Sequence, residues 1–279
     1  MGLELSHEIL KRSKTCPGGV HLREDLSWYR RYLKDCFGCE VPEEEVNFEQ
    51  FMGFLDIEHS LGLRGSDTWS RDGNEGQVVV KTLIGEILME RLPNEIPPLY
   101  LEFARSLQPS DYVLTFNYDV LLERALDAVG KPYRLFPTRY VDTEKFNEVI
   151  VMKMHGSIDW FDKSFYLQQL GKYKRLGCDS LPPDVVFNSR HDLGLSPLVN
   201  DKEAAEGPMK NIFRVRNIET LYKQRIQLHA QPVLLTPSIN KALYVGPMRA
   251  FWNGLGQSGM YNFGMAIIGY SLPEHDDYA

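Results

Sequence analysis

Cysteine is scarce. The 279 residues carry four, too few and too scattered for a disulfide scaffold, so a reducing, cytoplasmic setting is expected. No apolar run approaches the ~18 residues of a membrane span. The opening segment, 1–14, is amphipathic and mixed in charge rather than a cleavable signal. Basic clusters are short (Lys11, Arg12 and Lys14; Lys172, Lys174 and Arg175), and the net charge is -7 with a pI near 5.6. That balance argues against a dedicated nucleic-acid binder. Internal repeats and low-complexity tracts are absent. What remains is globular material: 43% hydrophobic and 25% charged residues, enough for a sizeable core and against intrinsic disorder.

The first 110 residues read as mainly helical. Leu3, Leu5, Ile9 and Leu10, then Leu22, Leu26, Tyr29 and Leu33, recur at helical spacing on either side of Pro17-Gly18-Gly19. Further helices are expected over 47–61, 78–91 and 99–107, with a polar, glycine-rich loop over 62–77. The texture changes at Asp111. Residues 111–116 read as a short buried strand followed at once by a helix over 120–129, and 149–156 as a second strand ending at a glycine. Residues 163–230 show no clean period and read as an irregular insert. A strand over 232–237, a helix over 242–255 and a strongly apolar strand over 265–271 complete the pattern. Strands alternating with helices predict a parallel sheet covered on both faces. The chain is read as one domain over 1–279, with the α/β part in 111–162 and 231–279.

In open parallel sheets, ligands bind beyond the carboxyl ends of the strands. Those ends carry Asn117 with Asp119, His155 with Gly156 and Ser157, and Gly269 with Tyr270 and Ser271. An amide that both donates and accepts, an imidazole that titrates near neutrality, and glycines that admit close approach suit a site there. Each also has a plainer explanation, since Asn and Asp cap helices and Gly makes turns. Three such groups on three strand ends carry more weight than any one.

These residues also carry a resemblance. Thr115-Phe-Asn-Tyr-Asp119 resembles the Asn-containing motif of sirtuins and their bacterial relatives. Lys153-Met-His-Gly-Ser-Ile-Asp-Trp160 resembles the His-Gly motif of the zinc-free branch of sirtuin-like proteins. Ile267-Ile-Gly-Tyr-Ser-Leu-Pro273 is similar to the strand end that closes the nucleotide site, and Leu234-Leu-Thr-Pro-Ser-Ile-Asn-Lys241 fits the same branch. The resemblance implies a Rossmann-like fold and an enzyme that consumes NAD as a substrate, without a metal, by cleaving the nicotinamide–ribose bond. It further implies an antiphage-defence effector that depletes NAD when a phage protein or nucleotide signal triggers it, and a homo-oligomer. By the match, His155 is the general base, or orients the attacking water or hydroxyl. Asn117 holds that water and the nicotinamide-side ribose. Asp119, Gly156, Ser157, Gly269, Tyr270 and Ser271 contact or frame the nucleotide. The alternatives are a protein deacylase or ADP-ribosyltransferase, and a non-catalytic module that binds NAD or ADP-ribose as a sensor or scaffold.

The chain departs from the sirtuin pattern in two ways. Deacylases of the family carry four zinc-binding cysteines after the His-Gly motif, and here Cys178 is the only cysteine between His155 and Gly269. The lone Cys36-Phe-Gly-Cys39 pair lies upstream and lacks a second pair. The first strand and glycine-rich pyrophosphate loop of the family are also missing. Met1 to Leu10 resembles the segment that follows that loop, so a chain truncated at both ends, with impaired NAD binding, is expected. Gly254-Leu-Gly-Gln-Ser-Gly259 spells a dinucleotide fingerprint but follows an expected helix instead of a strand. Met1-Gly2 with Ser6 matches a myristoylation signal, an accidental match if Met1 is an internal methionine.

Overall fold

The structure is a computed structural model that describes residues 3–63, 73–109, 111–135, 147–198, 208–224, 231–238 and 266–268. The helical half opens with α1 (Leu3–Arg12) and α2 (Gly19–Phe37), separated where Gly18 adopts a left-handed φ of 72°. Asn47 starts α3 (Phe48–Leu61) by accepting from the backbone N–H groups of Glu49 and Gln50, and Gly62 ends it with a positive φ. Helix α4 (Glu75–Arg91) begins three residues before the expected start. Asn74 and Gln77 form a reciprocal capping box that periodicity alone does not show. From Gly76 to Gly85 every residue of α4 is buried, as befits a helix enclosed on all sides. Helix α5 (Pro98–Ser106) closes this half.

The α/β part begins at β1 (Tyr112–Thr115), then α6 (Leu121–Ala128), β2 (Tyr133–Arg134) and β3 (Val149–Lys153). These strands form a parallel sheet in the order β1-β3-β2. Flanked by helices, it gives the α/β, Rossmann-like architecture expected from the sequence. β3, between two neighbours, is buried at all five positions. Among the described residues β1 is an edge strand, and Tyr112 and Leu114 are exposed instead of forming the buried strand expected of them.

Beyond it lies a second sheet that the sequence did not reveal. β4 (Gly156–Asp162) is followed by α7 (Ser164–Arg175), β5 (Leu195–Pro197), β6 (Ile212–Val215), α8 (Ile218–Tyr222) and β7 (Pro232–Leu234). The sheet order is β5-β6-β4-β7, antiparallel throughout. The segment 232–234 thus forms its expected strand but pairs outside the parallel sheet. Of the expected strand over 265–271, residues 266–268 form no strand, and Ile267 and Ile268 are exposed. Residues 265 and 269–271 of that stretch lie outside the described residues. The expected helix over 242–255 lies outside the described residues.

β4 joins two cores. Ile158 and Phe161 pack with the helical half, against Phe51, Leu83 and Ile84. Trp160, fully buried, packs with Val151, Met152, Leu126 and Ala104 on the parallel-sheet side. Consecutive strand residues face opposite sides, and the register shift between Gly156 and Phe161 puts Ile158 and Phe161 in one core.

Candidate active site

The parallel register places the central residues of the site. Thr115 pairs with Lys153 at the carboxyl ends of β1 and β3, so Asn117 and His155 each stand two residues beyond the last pair, on the same edge. The chain is held there by short main-chain bonds. Met154 N–H donates to Thr115 O (2.9 Å), Ile158 N–H to Tyr118 O (3.0 Å) and Leu235 N–H to His155 O (2.9 Å). The Tyr118 hydroxyl completes the frame by donating to Leu235 O at 2.7 Å.

His155 is 6% exposed. Its ring lies against Phe116, with centroids 4.8 Å apart, and 6.1 Å from that of Tyr118. Two aromatic residues from the Asn117 turn thus fix the imidazole. Asn117 is exposed, and its backbone N–H donates to Thr115 Oγ1 at 3.1 Å. Its side-chain amide makes no hydrogen bond among the described residues, so it is available to a ligand or water. Asp119 Oδ1 accepts from Leu121 N–H at 2.9 Å, capping the first turn of α6. The plainer expectation for an aspartate at this position therefore holds for that oxygen.

Gly156 and Ser157 turn inward. Gly156 has φ +83°, and a Cβ there would stand 2.0 Å from Val233 O. The glycine thus admits the backbone of β7. Ser157 is fully buried, with its hydroxyl 3.4 Å from Tyr118 O. Both residues pack against main chain beside His155, Gly156 on Val233 O and Ser157 on Tyr118 O. Gly269, Tyr270 and Ser271 lie outside the described residues.

Behind this edge runs a row of buried charge absent from the sequence reading. Lys153 and Glu123, each 1% exposed, pair at 2.9 Å, and Lys153 Nζ also donates to Asp119 O. Burial raises the Glu123 pKa from its ordinary value, outweighing the pull of Lys153. Beyond it, Arg214 Nε donates to Asp159 Oδ2 at 2.7 Å, and Arg214 Nη1 to the Tyr133 hydroxyl at 2.8 Å. Burial pushes the Tyr133 phenol up to about 12, against the opposing pull of Arg214. Burial also weighs against the Arg214 charge, yet Asp159 and Tyr133 hold its pKa above the usual value. One signal for this row was legible: a lysine closing an apolar strand, Val149-Ile-Val-Met-Lys153, must find a buried partner.

The edge offers an oriented imidazole and an unengaged amide. The one hydroxyl side chain of the His-Gly motif, Ser157, is buried against a carbonyl. The arrangement suits activation or positioning of water better than attack by a side chain. Among the described residues no group of His, Cys, Asp or Glu could hold a metal ion, and no helix is long and apolar enough to cross a membrane. Cys36, Cys39 and Cys178 are exposed free thiols.

Comparison with known families identifies one matching family. The model of the SIR2-like domain matches residues 111–178, the span from the start of β1 through β4 and α7, with both Asn117 and His155 inside it. No curated protein and no solved structure matches the chain. The matched span and the α/β architecture around it support a sirtuin-like family and an NAD-related activity.

Proposed function

We propose that the protein is a metal-independent NAD hydrolase that cleaves the nicotinamide–ribose bond. The observation that carries this reading is the placement of Asn117 and His155 on adjacent parallel strand ends, inside the span matched by the SIR2-like model. The C1′–N bond breaks with its electron pair leaving on nicotinamide, and the ribose carbon develops positive charge. Water then adds to that carbon and releases a proton. Such a reaction asks for positioning and a base more than for a strong nucleophile. Asn117 orients the water and the ribose hydroxyls through its unengaged amide. His155 accepts the proton from the water, its ring held by Phe116 and Tyr118. Asp119 sets the turn through its bond to Leu121 and the Lys153 bond to its carbonyl. Gly269, Tyr270 and Ser271 are assigned to the far side of the nucleotide from the sequence resemblance.

The same reading makes the protein a cytoplasmic, homo-oligomeric antiphage effector that depletes NAD when a phage protein or nucleotide signal triggers it. The test is nicotinamide release from NAD by the wild type, Asn117→Ala and His155→Ala, with urea unfolding as a control. Each substitution is expected to lower turnover by roughly 10²–10³-fold or more with the fold retained. Undiminished turnover in both variants refutes the assignment. Thermal stabilisation by NAD without nicotinamide release would favour a sensor or scaffold, and acyl-lysine turnover with NAD would favour a deacylase.

A further inference from the structure

The helical half exposes an apolar face built from α2 and α3. Trp28, Tyr32 and Phe37 on α2 and Ile57 and Leu61 on α3 are each 40–65% exposed. Ring contacts join the two helices into one patch. Tyr32 meets Phe37 edge-on with centroids 5.6 Å apart and lies 5.1 Å from Phe54 of α3. Trp28 stands one turn before Tyr32, and Ile57 and Leu61 one and two turns beyond Phe54. The accessible surface of the five exposed residues comes to roughly 550 Å², at the upper end of the ~300–600 Å² that the largest apolar patch of a monomer spans.

The charges beside the patch decide what fits it. On the exposed face of α2, Glu24, Trp28, Arg31 and Asp35 follow one another at helical spacing. The Arg31 guanidinium lies over the Trp28 ring, 5.0 Å from its centroid, and the Glu24 side chain is 66% exposed. Acid and base thus stand on either side of the indole. A partner charged throughout with one sign would meet its own sign at one end of that row. A second copy running antiparallel meets the opposite sign at both ends. With a two-fold axis beside Ser27 and Trp28, Glu24 of each chain falls opposite Arg31 of the other, and the two indoles meet across the axis.

We propose that this face of α2 and α3 binds a second copy of the chain in an antiparallel two-fold dimer centred on Trp28. The size agrees. A standard interface buries ~800 Å² on each partner, roughly two thirds of it apolar in homodimers, and the five exposed residues supply about that apolar share. A central tryptophan flanked by charge pairs is also the arrangement that concentrates binding energy. The inference gives a place to the homo-oligomer of the proposed function. It takes no step through NAD chemistry, so it and the hydrolase reading can fail separately.

Sedimentation equilibrium of the full chain over a concentration series tests it. The wild type is expected to reach a mass of two chains. Trp28→Glu is expected to weaken the dimer by at least ~10-fold with an unchanged far-ultraviolet circular dichroism spectrum. Arg31→Glu sets like charges opposite Glu24 twice over and is expected to weaken it by at least ~5-fold at low salt. Glu24→Arg added to Arg31→Glu restores opposite signs and is expected to recover most of that loss. A wild type that stays monomeric across the series overturns the proposal. A dimer indifferent to Trp28→Glu overturns it too and places the contact of the homo-oligomer elsewhere. So does a charge exchange that recovers nothing, because a differently aligned contact would not pair Glu24 with Arg31.

Discussion

Replacing Lys153 by methionine isolates the energetics of the buried row behind the candidate site. Lys153 and Glu123 are each 1% exposed, and their charged atoms lie 2.9 Å apart. At an effective dielectric of ~20, that separation gives an attraction of about 6 kcal/mol. Desolvating two ions costs a similar amount, so the pair contributes little net stability. Half a pair does not cancel. Methionine keeps the length of the lysine stem but leaves Glu123 buried beside Asp159 without its cation, and the expected loss is about 3–5 kcal/mol. The glutamate relieves part of that loss by taking up a proton. Its pKa is already raised by burial, and removing Lys153 raises it further. A carboxyl whose folded pKa exceeds its unfolded value binds more protons when folded, so stability falls as pH rises between the two values. Urea unfolding at pH 5 and pH 8 should therefore show Lys153→Met losing more at the higher pH. Lys153→Met with Glu123→Leu should recover most of the loss, because neither charge remains. A single-variant loss below ~1 kcal/mol, or one that shrinks as pH rises, would refute the reasoning.

Gly156→Ala should cost at least ~2 kcal/mol, since the φ of +83° is unfavourable for alanine and the Cβ meets Val233 O at 2.0 Å. Denaturant unfolding measures the loss, and wild-type stability in the variant would show that β7 does not press on Gly156. Ultraviolet titration should find a phenol ionising near 12 that disappears in Tyr133→Phe. Its raised folded pKa means that its contribution is intact below about 10 and is lost as pH climbs from there through about 12. A difference titration that shows only phenols ionising near 10 would contradict the buried contact with Arg214. Asn74→Ala removes the capping box of α4 and a 3.3 Å bond to Asp25, with an expected loss of about 1–2 kcal/mol. Loss of that size without loss of helicity elsewhere is the outcome to look for by circular dichroism.

What the sequence disclosed follows physical range. The helices over 3–12, 19–37 and 48–61 were legible because spacing, glycine breaks and an Asn cap are local signals, and the structure forms them. β1, α6 and β3 were legible for the same reason. β4 was not separated from β3, because only the two-residue turn at Met154–His155 divides them and Ser157, Asp159 and Asp162 leave β4 without an apolar run of its own. β5 and β6 are short, and their pairing partners lie tens of residues away, so no local period marks them. The burial of Ser157 and the exposure of Leu114 depend on the same nonlocal information. β4 lies between β6 and β7 and reaches both cores, and β1 has one partner among the described residues.

The candidate site was more legible than the fold around it, and the parallel ladder explains why. A polar residue two positions past a buried strand is visible in one dimension. Once two such strands pair in parallel, register converts equal offsets into nearness. Thr115 opposite Lys153 is the single pairing that brings Asn117 and His155 to one edge, and a slip of one residue would turn the side chains of β3 to the other face. What fixes that register is not in either motif. β3 is held by its burial at every position, by Met154 N–H on Thr115 O, and by Lys153 reaching across to Asp119 and Glu123. The lysine one place before the Met-His-Gly turn is therefore a register pin as well as a charge. Its removal should loosen the Asn117 turn relative to His155, so turnover should fall in Lys153→Met even under conditions where the variant is fully folded.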